Sequence, residues 1–146
     1  MSAIEIRLAT LDDVPQLTGL AAQLGYPTAE ADMAWRLAEL LQEANHAVWV
    51  ATQPQGDVVA WLHLYVHRSL LANPMAMVGG LVVDSTQRRQ GIGRMLMLHA
   101  EAWGRAHGCE AVYLKSNITR EGARQFYESL GYITVKTQYA LRKELQ

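Results

Sequence analysis

Apolar positions change period along the chain, and the changes mark its elements. Residues 4–8 alternate apolar and charged side chains, as a half-buried strand does. The spacing then turns helical, with Leu17, Leu20, Ala21 and Leu24 in register. Thr10, Asp12 and Asp13 offer a cap, Pro15 suits a first turn, and Gly25 is the stop. Tyr26 precedes Pro27 and so avoids the α region, which makes a loop. Thr28 is the next expected cap, and Ala34, Leu37, Leu40 and Leu41 carry a second helix to about Gln42. Residues 46–52 read as a strand, Pro54 and Gly56 as a hairpin turn, and residues 58–67 as a long strand with Trp61, His63, Tyr65 and His67 on one face. Residues 75–83 are nearly all apolar with little alternation, which suits a central strand covered on both faces. A helix is expected over 91–106, a strand over 111–116, a helix over 120–130 stopped by Gly131, and a last strand over 132–141. The order β-α-α-β-β-β-α-β-α-β predicts an α/β fold, a mixed central sheet with helices on both faces, in one domain over 1–146.

Composition narrows the setting. Half the residues are hydrophobic and 18% are charged, which is globular rather than disordered. The one cysteine, Cys109, excludes an internal disulfide and a Cys-rich zinc site, and no His or carboxylate cluster calls for a metal. The longest apolar runs, 58–66 and 75–83, are about half the roughly 20 residues of a membrane span. The first residues lack a basic-then-apolar leader pattern, so a cytoplasmic protein with no membrane partner is expected. A net charge of −1 argues against a nucleic-acid partner. The charge is unevenly placed, however. Residues 1–45 carry seven acids against Arg7 and Arg36, whereas residues 84–146 carry ten bases against six acids. Beyond solvated helix faces, this points to an anion near the C-terminal half and a cation near the N-terminal half.

The stretch richest in chemistry runs from Leu81, Val82 and Val83 through Arg88, Arg89, Gln90, Gly91, Ile92 and Gly93 to Arg94. It reads as a buried strand, a basic loop, two glycines and a helix. A helix start leaves backbone N–H groups free and carries partial positive charge. Gly91 and Gly93 let an anion approach the backbone, and the arginines add fixed charge. The arginines precede the glycines and the third glycine of a dinucleotide fingerprint is missing, which excludes a Rossmann site. No Gly-Lys-Ser/Thr follows, so this is not a Walker A loop.

This segment resembles the acetyl-CoA-binding signature of the GNAT N-acetyltransferase superfamily. Ser116-Asn117 and residues 123–132 are similar to the family's second signature. The resemblance implies acetyl-CoA as co-substrate. It is held along Leu81, Val82 and Val83 and by the amides from Arg88 or Arg89 to Arg94, with Asn117 against its arm. It implies Tyr127 as general acid to the departing thiolate, although Phe126, Tyr127 and Leu130 also form an ordinary apolar helix face. It further implies a glutamate base on the strand 75–83, but Val78, Gly79, Gly80 and Leu81 hold no carboxylate. The base is therefore open between His63, His67, a water chain and direct attack by a free amine. Gly79-Gly80 reads as a bulge or a close backbone approach. His99, His107 and Cys109 read as packing or surface residues.

The expected activity is direct acetyl transfer to a primary amine of a small molecule. A protein N-terminus or lysine as acceptor, or a non-catalytic acyl-CoA sensor, remain alternatives. Tyr26, Glu30, Asp32 and His63 are the candidate acceptor-side residues: an aromatic wall, two acids for an ammonium ion, and a titratable group. A homodimer is expected from the resemblance alone.

Overall fold

A computed structural model describes residues 3–117 and 121–146. They fall into two compact units, Met1–Lys115 and Ser116–Gln146.

The first unit is built on a five-stranded sheet in the order β1-β2-β3-β4-β5: β1 (Glu5–Leu8), β2 (His46–Thr52), β3 (Val58–His67), β4 (Met75–Val83) and β5 (Val112–Tyr113). The first four pair antiparallel, and β4 pairs β5 in parallel. A 3₁₀ turn at Leu11–Asp13 leads into α1 (Val14–Gln23), followed by α2 (Glu30–Leu41) and, after β4, α3 (Ile92–Ala106). Two apolar cores lie against the sheet. Leu17, Leu20 and Leu37 of α1 and α2 pack with Val48, Val50 and Val82. Ile92, Leu96 and Ala100 of α3 pack with Trp49, Leu62 and Leu64. The alternation along β3 assigns its residues to these two cores, Trp61 to the first and Leu62 and Leu64 to the second.

Local chemistry sets the element ends. Asp13 is 4% exposed, receives both guanidinium nitrogens of Arg7 at 2.8 Å, and accepts the Thr10 N–H at 2.8 Å. The Arg7 guanidinium holds the Asp13 carboxyl below its ordinary range, so this acid of the N-terminal cluster is already neutralised. Helix α2 is capped at Ala29 instead of the expected Thr28, whose hydroxyl donates to the Tyr26 carbonyl at 3.0 Å and so serves the loop.

Two strands depart from the expected pattern. The strand expected over 111–116 is reduced to Val112–Tyr113. Its ladder with β4 ends at Ala76 and Met77, just before the register shift between β3 and β4. The last strand, expected over 132–141, is not formed. The second unit contains α4 (Glu121–Ser129), and beyond it the described chain has no strand. Alternation specifies faces but a strand needs a ladder. Ile133, Val135, Tyr139 and Leu141 are exposed. The cap expected at Thr119 or Arg120, and the helix start at Arg120, lie outside the described residues.

Candidate functional site

Strand β4 runs directly into the basic loop. Asp84 starts a 3₁₀ turn by accepting the Thr86 N–H and hydroxyl at 3.0 Å, and these bonds lower its carboxyl pKa. Gln23 of α1 accepts the Ser85 N–H at 2.9 Å and ties the loop to the first helix pair. The chain then takes two left-handed residues, Arg89 at φ 67° and Gly91 at φ 80°, and Gly91 is the N-cap of α3. Glycine suits the second because it has no Cβ penalty there. Nothing lies within 4 Å of where a Gly91 Cβ would stand, so the space over the helix start is open. Arg88, Arg89, Gln90 and Arg94 are exposed around it, while Ile92 is buried and anchors the first turn. Gly93 is half-buried in that turn. Free N–H groups, helix dipole and guanidinium charge together make a cradle for a phosphate or diphosphate.

Leu81, Val82 and Val83 lie on β4 past its last pair with β5, which is Met77 with Tyr113. Val82 is buried in the α1–α2 core, whereas Leu81 and Val83 pack toward α3. From Val78 to Val83 no residue of β5 opposes the strand, so this stretch of backbone can accept an extended chain as another strand would.

At the far end of that stretch sits the bulge. His63 pairs with Gly80 and Leu64 with Val78, which leaves Gly79 as the extra residue. A Cβ on Gly79 would stand 2.5 Å from His63 Nδ1, and one on Gly80 would stand 2.8 Å from the Trp61 ring. Both glycines thus present their bare side to the same face, and the imidazole and indole lie down on the backbone.

His63 is joined to a partner that sequence reading missed. His46 Nδ1 lies 2.9 Å from His63 Nε2, with the two rings stacked and His46 also stacked on Tyr65. Burial, and after it the neighbouring His46, push the His63 pKa down to about 4. The imidazole is therefore neutral at physiological pH, with a lone pair available.

Beside this pair lies a cavity of about 480 Å³ between α2 and the sheet. Val48, Trp61 and His63 form its floor, and Leu17, Met33, Leu37 and Leu40 its walls. Exposed Trp35, Arg36 and Glu39 stand at its rim. The Trp61 Nε1 is buried with no hydrogen-bond partner among the described residues. Of the candidate acceptor-side residues only His63 lines this cavity. Tyr26, Glu30 and Asp32 are exposed, with the two acids in the first turn of α2.

The remaining titratable residues have other work. His99 packs edge-on to Trp49 and burial lowers its pKa. Burial raises the Cys109 thiol, the opposite of what a nucleophile needs. No group of three His, Cys, Asp or Glu able to hold a metal occurs among the described residues. No helix among them is long and apolar enough to cross a membrane.

Asn117 and Tyr127 belong to the second unit. Tyr127, half-buried on α4, meets Phe126 and Tyr132 edge-on, and its carbonyl accepts the N–H groups of Leu130 and Tyr132.

The acetyltransferase (GNAT) family model matches residues 12–132, which include the basic loop, the start of α3 and α4. The chain belongs to that family. The acetyltransferase uses acetyl-CoA as its co-substrate. It is 26% identical over 135 residues to an aminoglycoside N(6')-acetyltransferase type 1 of Stenotrophomonas maltophilia, covering 90% of this chain and 87% of that one. A protein of the same description from Klebsiella aerogenes is 29% identical over 103 residues, covering 68% and 67%. Among solved structures, an aminoglycoside N-acetyltransferase in complex with CoA superposes with a TM-score of 0.89 at 19% identity, over 99% of this chain and 97% of that one. A 6'-N-acetyltransferase from Acinetobacter baumannii gives 0.88 at 17%, over 99% and 100%. At these identities the structural likeness establishes the fold.

Proposed function

We propose that this acetyltransferase moves the acetyl group of acetyl-CoA directly to a primary amine of a small molecule. The observation that carries the reading is the continuity of three features: an unpaired edge on β4, a glycine-opened helix start at one end of it, and a bulge carrying a neutral histidine at the other. Arg88 to Arg94 hold the diphosphate, and the backbone of Leu81 to Val83 holds the arm. The family resemblance names Asn117 as the candidate for that arm. The amine nitrogen bonds to the thioester carbon as the carbon–sulfur bond breaks. The nitrogen's proton passes to His63 Nδ1 and the His63 Nε2 proton to His46, and the family resemblance assigns protonation of the departing thiolate to the Tyr127 hydroxyl. The family match crosses from one compact unit into the other, which supports reading 1–146 as one domain. A cytoplasmic setting and a homodimer belong to the same proposal, on composition and family resemblance.

A neutral imidazole on the acceptor side supplies what the missing glutamate would, and this favours turnover over an acyl-CoA sensor. Acceptors split the remaining alternative: free amines should release CoA thiol, whereas a protein or peptide acetyltransferase would work only on peptides. Tyr127→Phe keeps the packed ring and removes only the donor. Its acetyl-CoA affinity by calorimetry should equal wild type, while kcat falls roughly 100-fold or more. Wild-type kcat under conditions where chemistry limits the rate would return Tyr127 to packing alone.

A further inference from the structure

The cavity over His63 carries information about the acceptor that family membership does not. Its volume of about 480 Å³ suits one small molecule. Its walls are Leu17, Met33, Leu37 and Leu40, and its floor includes the Trp61 indole. The one acid in the lining, Glu39, stands at the rim one turn from Arg36, so the lining as a whole offers a cation no net negative charge. The neutral imidazole of His63 lies on the β4 bulge, where the open strand edge begins. An ammonium buried among these walls would be uncompensated, and several of them prohibitively so. A ring, by contrast, gains by leaving water here, and a single amino group at its inner end meets the His63 imidazole.

We propose that this cavity seats the body of the acceptor and that the acceptor is a primary amine carrying one flat apolar group, an arylalkylamine in chemical class, rather than a polycation. The assignment rests on the transferase reading above for the amine, and on the cavity alone for the apolar body. It separates this chain from the relatives whose names specify aminoglycosides. It also explains why Trp35, at the mouth of the cavity, is 67% exposed: it is an aromatic side available to a ring and is not part of the core.

Phenethylamine, kanamycin and spermidine serve as probes, each titrated calorimetrically into the acetyl-CoA-free protein and then assayed for CoA thiol release. Phenethylamine should bind saturably, roughly tenfold or more tighter than either polycation. Trp35→Ala removes an exposed side chain and so leaves folding intact. It should weaken phenethylamine roughly tenfold. Equal or tighter binding of kanamycin or spermidine overturns the proposal, as does an unchanged phenethylamine affinity in Trp35→Ala. Thiol release separates the two layers. Saturable phenethylamine binding without turnover supports the cavity and sinks the transferase reading. Preferential acetylation of kanamycin sinks the cavity assignment and keeps the transferase.

Discussion

His63 illustrates how burial prepares a side chain. Its folded pKa of about 4 lies below the ordinary 6.5, with desolvation the larger cause and His46 the smaller. Between those two values the unfolded chain binds a proton that the folded one refuses. Stability is therefore complete above pH 6.5 and falls with falling pH across that window, by on the order of 3 kcal/mol in all. His63→Gln removes the titration, so urea unfolding at pH 7 and pH 5 should differ less in the variant than in wild type. An equal pH slope in both proteins would place the proton uptake elsewhere. His63 was readable as a strand-face residue, but its pairing with His46 was not. A symmetric turn would carry the register of β2 and β3 unchanged, yet Thr52 opposes Val58 while Ala51 opposes Ala60. That shift moves every residue of β2 before Thr52 to the other face relative to β3.

Among elements, legibility followed the strength of the pattern. The strands β2, β3 and β4 were marked by long apolar runs between turn residues, and their ends coincide with expectation. Residues 132–141 had the right alternation and no ladder, because pairing depends on a partner that sequence does not specify. The start of α3 was legible for a different reason: the glycines and arginines are chemically unusual together. There, Gly91→Asp should abolish acetyl-CoA binding by calorimetry. It forces a side chain into a φ of 80° and puts a carboxylate where the diphosphate belongs. No protein atom stands within 4 Å of the new Cβ, so the variant should still fold. Arg89→Ala should cost only about 1 kcal/mol of affinity, as exposed charge contacts do. Retained affinity in a folded Gly91→Asp protein would remove the diphosphate from this helix start.

Over the whole molecule the uneven charge was visible at once, but its meaning was not. Of the N-terminal acids, Asp13 is consumed by Arg7, whereas Glu30 and Asp32 sit in the first turn of α2, away from the cavity lining. Their combined replacement by Gln and Asn should lower the melting temperature, since acids there gain about 0.3–1 kcal/mol each from the helix dipole. It should leave the acceptor KM unchanged at low and at high salt. A KM that rises, and rises more at low salt, would make these acids recruiters of the incoming ammonium.

The contact between Gly79 and His63 restricts the substitutions open to this chain. A side chain on Gly79 would stand 2.5 Å from the His63 ring, so any residue but glycine there requires the imidazole to move. The residue at position 79 and the placement of the His63 ring are therefore coupled. Gly79→Glu alone should be strongly destabilising. His63→Ala alone should fold but lose the proton acceptor, and the double substitution should recover stability relative to Gly79→Glu. A thermodynamic cycle should return a coupling well beyond the roughly 0.5 kcal/mol scatter of independent sites, while additive effects would free the two positions from each other. A chain that keeps this histidine is thus limited at residue 79 to side chains for which the imidazole can move aside.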